Sequence, residues 1–173
     1  IIGRMSKRAR FAEPTIIREA LQNLKISIAY EIKPPGTFEG GDAVWLNDET
    51  LMIGYATRTN EHAIEQIKKR ILGRSAKMIM AVPLPRRRVH LDGTIMILSD
   101  NTAVTRIEDI STYPSKVYSE DKVKLIKLPK WLEERGFELI SITDREDRLF
   151  GANLVGIGKN KVLSYSWNTR IMR

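Results

Sequence analysis

The chain has 173 residues, with 29 Lys+Arg against 21 Asp+Glu for a net charge of +8, two His and no Cys. That length fits one domain with a real core, and 42% hydrophobic beside 29% charged residues excludes a disordered chain. Without cysteine these residues hold no disulfide, thiolate zinc site, iron–sulfur cluster or thiol nucleophile, and no apolar run approaches the roughly 20 residues of a membrane-spanning helix.

The chain opens Ile1-Ile2-Gly3, without an initiator Met, and Ser6-Lys7-Arg8-Ala9-Arg10 follows. Residues 14–24 carry Ile17, Ala20, Leu21 and Leu24 at helical spacing, and a strand is expected over 26–30. A hairpin follows over 43–46 and 51–55, around the turn Asn47-Asp48-Glu49-Thr50. Thr59-Asn60 is a helix cap, Ile64, Ile67 and Ile71 form one stripe, and Gly73 ends the helix. Residues 76–82 then read as a buried strand. A second hairpin is expected over 94–98 and 102–105, followed by a long excursion over 106–119. Beyond it come a strand over 123–128, a short helix opened by Pro129 and closed by Gly136, and a strand over 138–142. A third hairpin is expected over 153–157 and 161–165, turning at Gly158-Lys159-Asn160, and Asn168-Thr169 reads as another cap.

Hairpin, helix and strand therefore recur, with Asp42, Asp92 and Ala152 at the unit starts. The expected division is a partial unit over 1–31, units over 39–82 and 90–142, and a partial unit over 151–173. Such units bury their faces by stacking or by closing into a ring, and a ring leaves no open sheet edge. The expectation is an open piece of a stacked or ring-closed α/β repeat, part of a longer polypeptide.

Polar residues gather at the unit starts. Phe38-Glu39-Gly40-Gly41-Asp42 sets two carboxylates around a glycine pair, and His90-Leu91-Asp92-Gly93 precedes the second hairpin. Residues two apart in extended chain face one side, so His90 and Asp92 point together. Matching positions of a ring meet near its axis, which brings Glu39, Asp42, His90 and Asp92 to one pocket, with Arg58 as a carboxylate clamp. A pocket richer in acid than base suits a guanidinium, and a carboxylate beside His90 favours general acid–base work. His62 reads as a surface residue, and Trp45, Trp131 and Trp167 as core or interface packing rather than substrate platforms. The run Arg86-Arg87-Arg88 lacks interleaved aromatics and reads as a solvated basic face, which makes nucleic acid an unexpected partner.

The strings Phe38-Glu39-Gly40-Gly41-Asp42, Ile53-Gly54-Tyr55-Ala56-Thr57-Arg58-Thr59 and His90-Leu91-Asp92 resemble the guanidine-modifying superfamily, and arginine deiminase within it. Gly151-Ala152-Asn153-Leu154 and the ending Tyr165-Ser166-Trp167-Asn168-Thr169 continue the resemblance over nearly the whole chain. It implies the pentein-type α/β propeller with pseudo-fivefold repeats, of which about three lie here. It also implies an arginine deiminase-like hydrolase that forms citrulline and ammonia through a covalent cysteine intermediate, with no metal or organic cofactor.

By that resemblance His90 is the general acid/base and Glu39 the carboxylate that orients it. Asp92 binds guanidinium nitrogens, Arg58 and Arg10 grip the substrate carboxylate, and Asp42 belongs to the same motif. The family's cysteine would lie after Arg173 and its first guanidinium-binding Asp before Ile1, so these residues alone are expected to be inactive. Dimethylarginine hydrolase and amidinotransferase share the motifs and stay open as alternatives, the intermediate being resolved by water in one and by an amine in the other. A non-catalytic propeller like the ribosome anti-association factor would instead use its basic surface on RNA, and would not need Glu39, Asp42, His90 or Asp92. The expected partner is a small guanidino substrate, with self-association open, no membrane, and the cytoplasm as the default location.

Overall fold

A computed structural model of the chain describes residues 1–158 and 161–168. α1 (Glu13–Asn23) is the first helix, and it leads to the hairpin of β1 (Ala43–Asn47) and β2 (Thr50–Tyr55). The Asn60 side chain then accepts from the Ala63 amide at 3.1 Å and opens α2 (Glu61–Ile71). Lys68, Lys69 and Arg70 occupy its last turn, where cations meet the negative end of the helix dipole. Past Gly73, at φ +74°, β3 (Met78–Pro83) returns parallel to β2 with Met52 opposite Met80.

The arrangement repeats. β4 (Ile95–Ser99) and β5 (Thr102–Thr105) form a second hairpin, and both hairpins slip register just before the turn, between Trp45 and Asn47 and between Ile97 and Ser99. Ala43 faces Ile53 as Ile95 faces Thr105, so the residue matching Asp42 is Thr94. Asp92 therefore sits two positions earlier in its unit than Asp42 does, unlike the pairing expected from the motifs.

The excursion after β5 is itself structured. α3 (Ile107–Ser111), β6 (Ser115–Ser119), β7 (Lys122–Ile126) and α4 (Leu128–Glu133) precede β8 (Glu138–Ser141), which lies parallel to β5. β6 pairs antiparallel with β3 and β7 with β6, giving a five-stranded sheet in the order β1-β2-β3-β6-β7. The segment expected to serve the second unit at 123–128 thus extends the sheet of the first. β4, β5 and β8 form a three-stranded sheet in the order β4-β5-β8. α5 (Asp144–Arg148), absent from the expected elements, starts with a capping box between Thr143 and Glu146. β9 (Val155–Gly158) and β10 (Lys161–Leu163) form an antiparallel pair. The turn residues Lys159 and Asn160 and the cap residue Thr169 lie outside the described residues.

β2 and β3 are apolar on both faces because both faces are covered. Met52, Met80 and Val82 pack with Leu91, Ile95 and Leu128 on one side. Leu51, Ile53 and Ile79 pack with Ala63, Ile64 and Ile67 of α2 on the other. Leu91 is fully buried in the first of these clusters, which fixes the loop of His90 to the core.

Two expectations are corrected. Residues 26–30 form no strand; the chain there is linked to Ile2 by the Ile2 amide on Tyr30 O and the Ile32 amide on Ile2 O, an isolated bridge in place of a ladder. α1 buries no residue, and Ile17 and Leu24 of its stripe lie exposed; ion pairs of Arg10 with Glu13 and of Arg18 with Glu31 hold it instead. Trp45 and Trp167 are half-exposed, Trp167 stacking on Tyr165 at 4.7 Å, whereas Trp131 packs against the core. Among the described residues no helix is long and apolar enough to cross a membrane.

Candidate active site

The site is built where the starts of the two units meet. Glu39 is in extended conformation, a 3-10 turn covers Gly40–Asp42, and β1 begins at Ala43. The Glu39 amide donates to Thr59 Oγ1 at 3.2 Å, so the segment just before α2 fixes its backbone. From the other unit the Asp92 amide donates to Gly41 O at 2.9 Å, and the Leu91 amide to Asp42 Oδ1 at 3.1 Å. These two bonds zip the loops together. A Cβ at Gly41 would stand 2.8 Å from both His90 Nδ1 and Asp92 Oδ2, so only glycine allows the approach.

Glu39 is 1% exposed and collects the site's donors. Its Oε1 accepts from the Ser6 amide at 3.2 Å and the Ser6 hydroxyl at 3.1 Å. Its Oε2 meets His90 Nε2 at 3.0 Å and is bonded by Arg10 Nη1. Arg58 Nη1 reaches both oxygens, at 3.3 and 3.2 Å. Burial alone would raise the pKa of this carboxyl; the Ser6 amide, His90, the Ser6 hydroxyl and the Arg10 charge reverse that and hold it at about 2. Glu39 is thus an ionised carboxylate that fixes the imidazole.

The neighbouring acids behave differently. Asp42 is 1% exposed, and burial pushes its pKa up to about 6, opposed by His90 and the Leu91 amide. The Thr59 hydroxyl also favours its charge but makes no hydrogen bond of ordinary geometry with it, and Asp42 Oδ2 is buried without a partner. Burial raises the pKa of Asp92 as well, opposed by the His90 charge and the Gly93 amide. One site therefore holds a firmly ionised carboxylate and two whose burial makes ionisation costlier, a cost that a bound cation would offset.

The structure brings Glu39, His90, Arg10 and Arg58 into direct contact and sets Asp42 and Asp92 beside them. Arg10 is forked onto Glu13 through Nε and Nη2, at 2.7 and 2.8 Å. Arg58 touches Glu39 through Nη1 alone. His62 lies exposed on α2. His90 and Asp92 line a cavity of about 230 Å³ with Arg88, Asp147, Phe150 and Asn153. A larger open cleft, about 710 Å³, lies at the opposite end of the sheet beside Asp48, Gly73 and Glu120, away from this chemistry. Among the described residues no group of three or more His, Cys, Asp or Glu is placed to hold a metal.

Sequence reasoning missed Arg88. Arg86 and Arg87 are exposed as a basic face would be, but the Arg88 side chain is 14% exposed. It bonds Asp109 through Nε and Asp147 Oδ1 through Nη2 at 2.6 Å, and Arg87 also reaches Asp109. No spacing in the sequence announces these partners, which come from two later helices.

The sequence model of the arginine deiminase family matches residues 1–172. The arginine deiminase of Listeria welshimeri is 25% identical over 96% of this chain and 48% of its own length. That of Bacillus cytotoxicus is 30% identical over 83% and 35%. The chain thus spans at most about half the length of these curated relatives. Among solved structures, AgrE in ternary complex with ornithine and NAD+ matches 98% of this chain and 24% of its own, with TM-score 0.74 and 19% identity. The dimethylarginine dimethylaminohydrolase adduct with S-methyl-L-thiocitrulline matches 98% and 57%, with TM-score 0.67 and 22% identity. At those identities the likeness is one of fold.

Proposed function

The chain belongs to the arginine deiminase family, and on that footing we propose that it is part of a hydrolase that converts arginine to citrulline and ammonia. The observation that carries this reading is the 3.0 Å pairing of His90 Nε2 with a buried, ionised Glu39. That geometry gives an oriented imidazole for moving protons onto and off a guanidinium. Asp92 and Asp42 lie beside it as acceptors for guanidinium N–H groups, and a bound cation would draw both toward ionisation.

Arg58 grips the substrate's carboxylate with the nitrogens it does not spend on Glu39. Arg10, already forked onto Glu13, supports it. A thiolate attacks the guanidinium carbon, ammonia leaves with a proton from His90, and water cleaves the C–S bond to give citrulline and the free thiol. The chain has no Cys, so that thiol belongs to sequence outside these residues. The propeller closes, in this reading, with the same sequence. An RNA-binding role has less support, because Arg87 and Arg88 of the basic run are bonded to Asp109.

The test uses the whole protein that contains these residues. Citrulline should form from arginine, and His90→Ala should lower the rate at least about 100-fold while leaving the melting midpoint near wild type. A whole protein that hydrolyses no arginine, or a His90→Ala variant of unchanged rate, overturns the reading. Dimethylamine release from dimethylarginine, or amidino transfer to an amine, would replace it with one of the related reactions.

A further inference from the structure

The loop that carries His90 and Asp92 runs from the end of β3 to the start of β4. Its backbone is anchored at both ends. The Leu84 amide donates to Tyr55 O at 3.0 Å, and the Leu91 and Asp92 amides donate to Asp42 Oδ1 and Gly41 O. Between those anchors the one bond between backbone groups is a local turn, Arg88 N on Pro85 O at 2.8 Å, the His90 carbonyl accepts from Thr94 Oγ1 at 3.2 Å, and Val89 is 51% exposed. Main-chain bonding therefore ties His90 on its C-terminal side and leaves residues 86–89 to one local turn; the Arg88 side chain ties that stretch to the rest of the fold.

We infer that Arg88 is a positioning residue for His90, tying its loop to α3 through Asp109 and to α5 through Asp147. Asp109 is 0% exposed and Asp147 19% exposed, so the guanidinium is held between two carboxylates largely out of water. Charge-assisted bonds of this kind are short, directional and strong. Arg87 cannot replace the tie, because its side chain is 59% exposed and water competes for it.

The imidazole is held directly by Glu39 on Nε2, and its chain segment by Arg88 two residues back. Both Arg88 and His90 line the same 230 Å³ cavity. A drift of about 1 Å breaks a 3.0 Å hydrogen bond and costs about 100-fold in a proton-transfer step. The inference rests on the hydrolase reading for its consequence, but the tie itself is read without turnover.

The test reads His90 directly. In the whole protein that contains these residues, labelled with nitrogen-15 at histidine and assigned with His62→Gln and His90→Gln variants, His62 on the exposed face of α2 is an internal reference for His90. Arg88→Ala and Asp147→Asn should each shift or split the His90 ring signals and leave those of His62 in place. Arg88→Lys, which keeps the charge but not the fork, should restore them in part. In the whole enzyme Arg88→Ala should lower kcat about 10- to 100-fold and KM by less than about threefold. If Arg88→Ala lowers the melting midpoint but leaves the His90 signals unchanged, the role is only structural and the inference fails. Should Arg88→Ala not fold, Asp147→Asn decides alone, since its partly exposed site tolerates an amide. Failure of citrulline formation would strike the hydrolase reading and leave the nitrogen-15 result standing.

Discussion

Glu39→Gln removes one charge from a carboxylate bonded by Ser6, Arg10, Arg58 and His90, and keeps its shape. The pKa of Glu39 stands at about 2, against an ordinary 4.5. A depressed carboxyl stabilises the fold fully above 4.5, and the contribution is lost as pH falls through 4.5 toward 2. At about 1.4 kcal/mol for each tenfold, that fall is worth about 3 kcal/mol at pH 7. Arg10 and Arg58, 37% and 20% exposed in their side chains, can turn to water once the carboxylate is gone, which keeps the loss near this figure. Paired urea titrations of wild type and variant are the assay. The variant should lose about 3 kcal/mol at pH 7, which is about 6–12 °C in melting midpoint for a domain this size. At pH 2.5 the same linkage leaves a difference below about 1 kcal/mol. A loss equal at both pH values, or one below about 1 kcal/mol at pH 7, would show that the donors around Glu39 do not hold its charge.

Asp42→Asn should act with the opposite sign. The Asp42 pKa is raised to about 6 from 3.8, so its contribution is present below 3.8 and lost as pH rises through 6. The variant should gain on wild type between pH 4 and pH 7.5 by up to about 3 kcal/mol, measured by thermal unfolding at both pH values; a difference constant with pH refutes this. Gly41→Ala pushes a methyl to within 2.8 Å of His90 Nδ1. It should displace the His90 ring signals and cost about 1–3 kcal/mol, and wild-type signals would mean that the loops have room to separate.

What could be read from the sequence was whatever adjacent residues decide among themselves. The hairpin turns, the Asn60 cap and the stop at Gly73 are local chemistry, and each element stands within a few residues of its expected place. The Thr143–Glu146 capping box was as local and was passed over. β6 is another matter: nothing within 115–119 says that its partner is β3, because which edge a strand joins is decided by how the core packs and not by the strand's own residues.

The meeting of Glu39 with His90 was expected from matched unit starts, yet the registers match Asp42 to Thr94. What joins the two loops is the pair of amide bonds from Leu91 and Asp92, together with a glycine small enough to permit them. Arg88 shows the other limit, since its partners lie 21 and 59 positions away. Arg10, Arg58 and Arg88 all count toward the +8, and all three spend their charge inside the fold on Glu39, Asp109 and Asp147. Net charge counts side chains wherever they point, so it says little about the surface of a protein that keeps its arginines to position its own carboxylates.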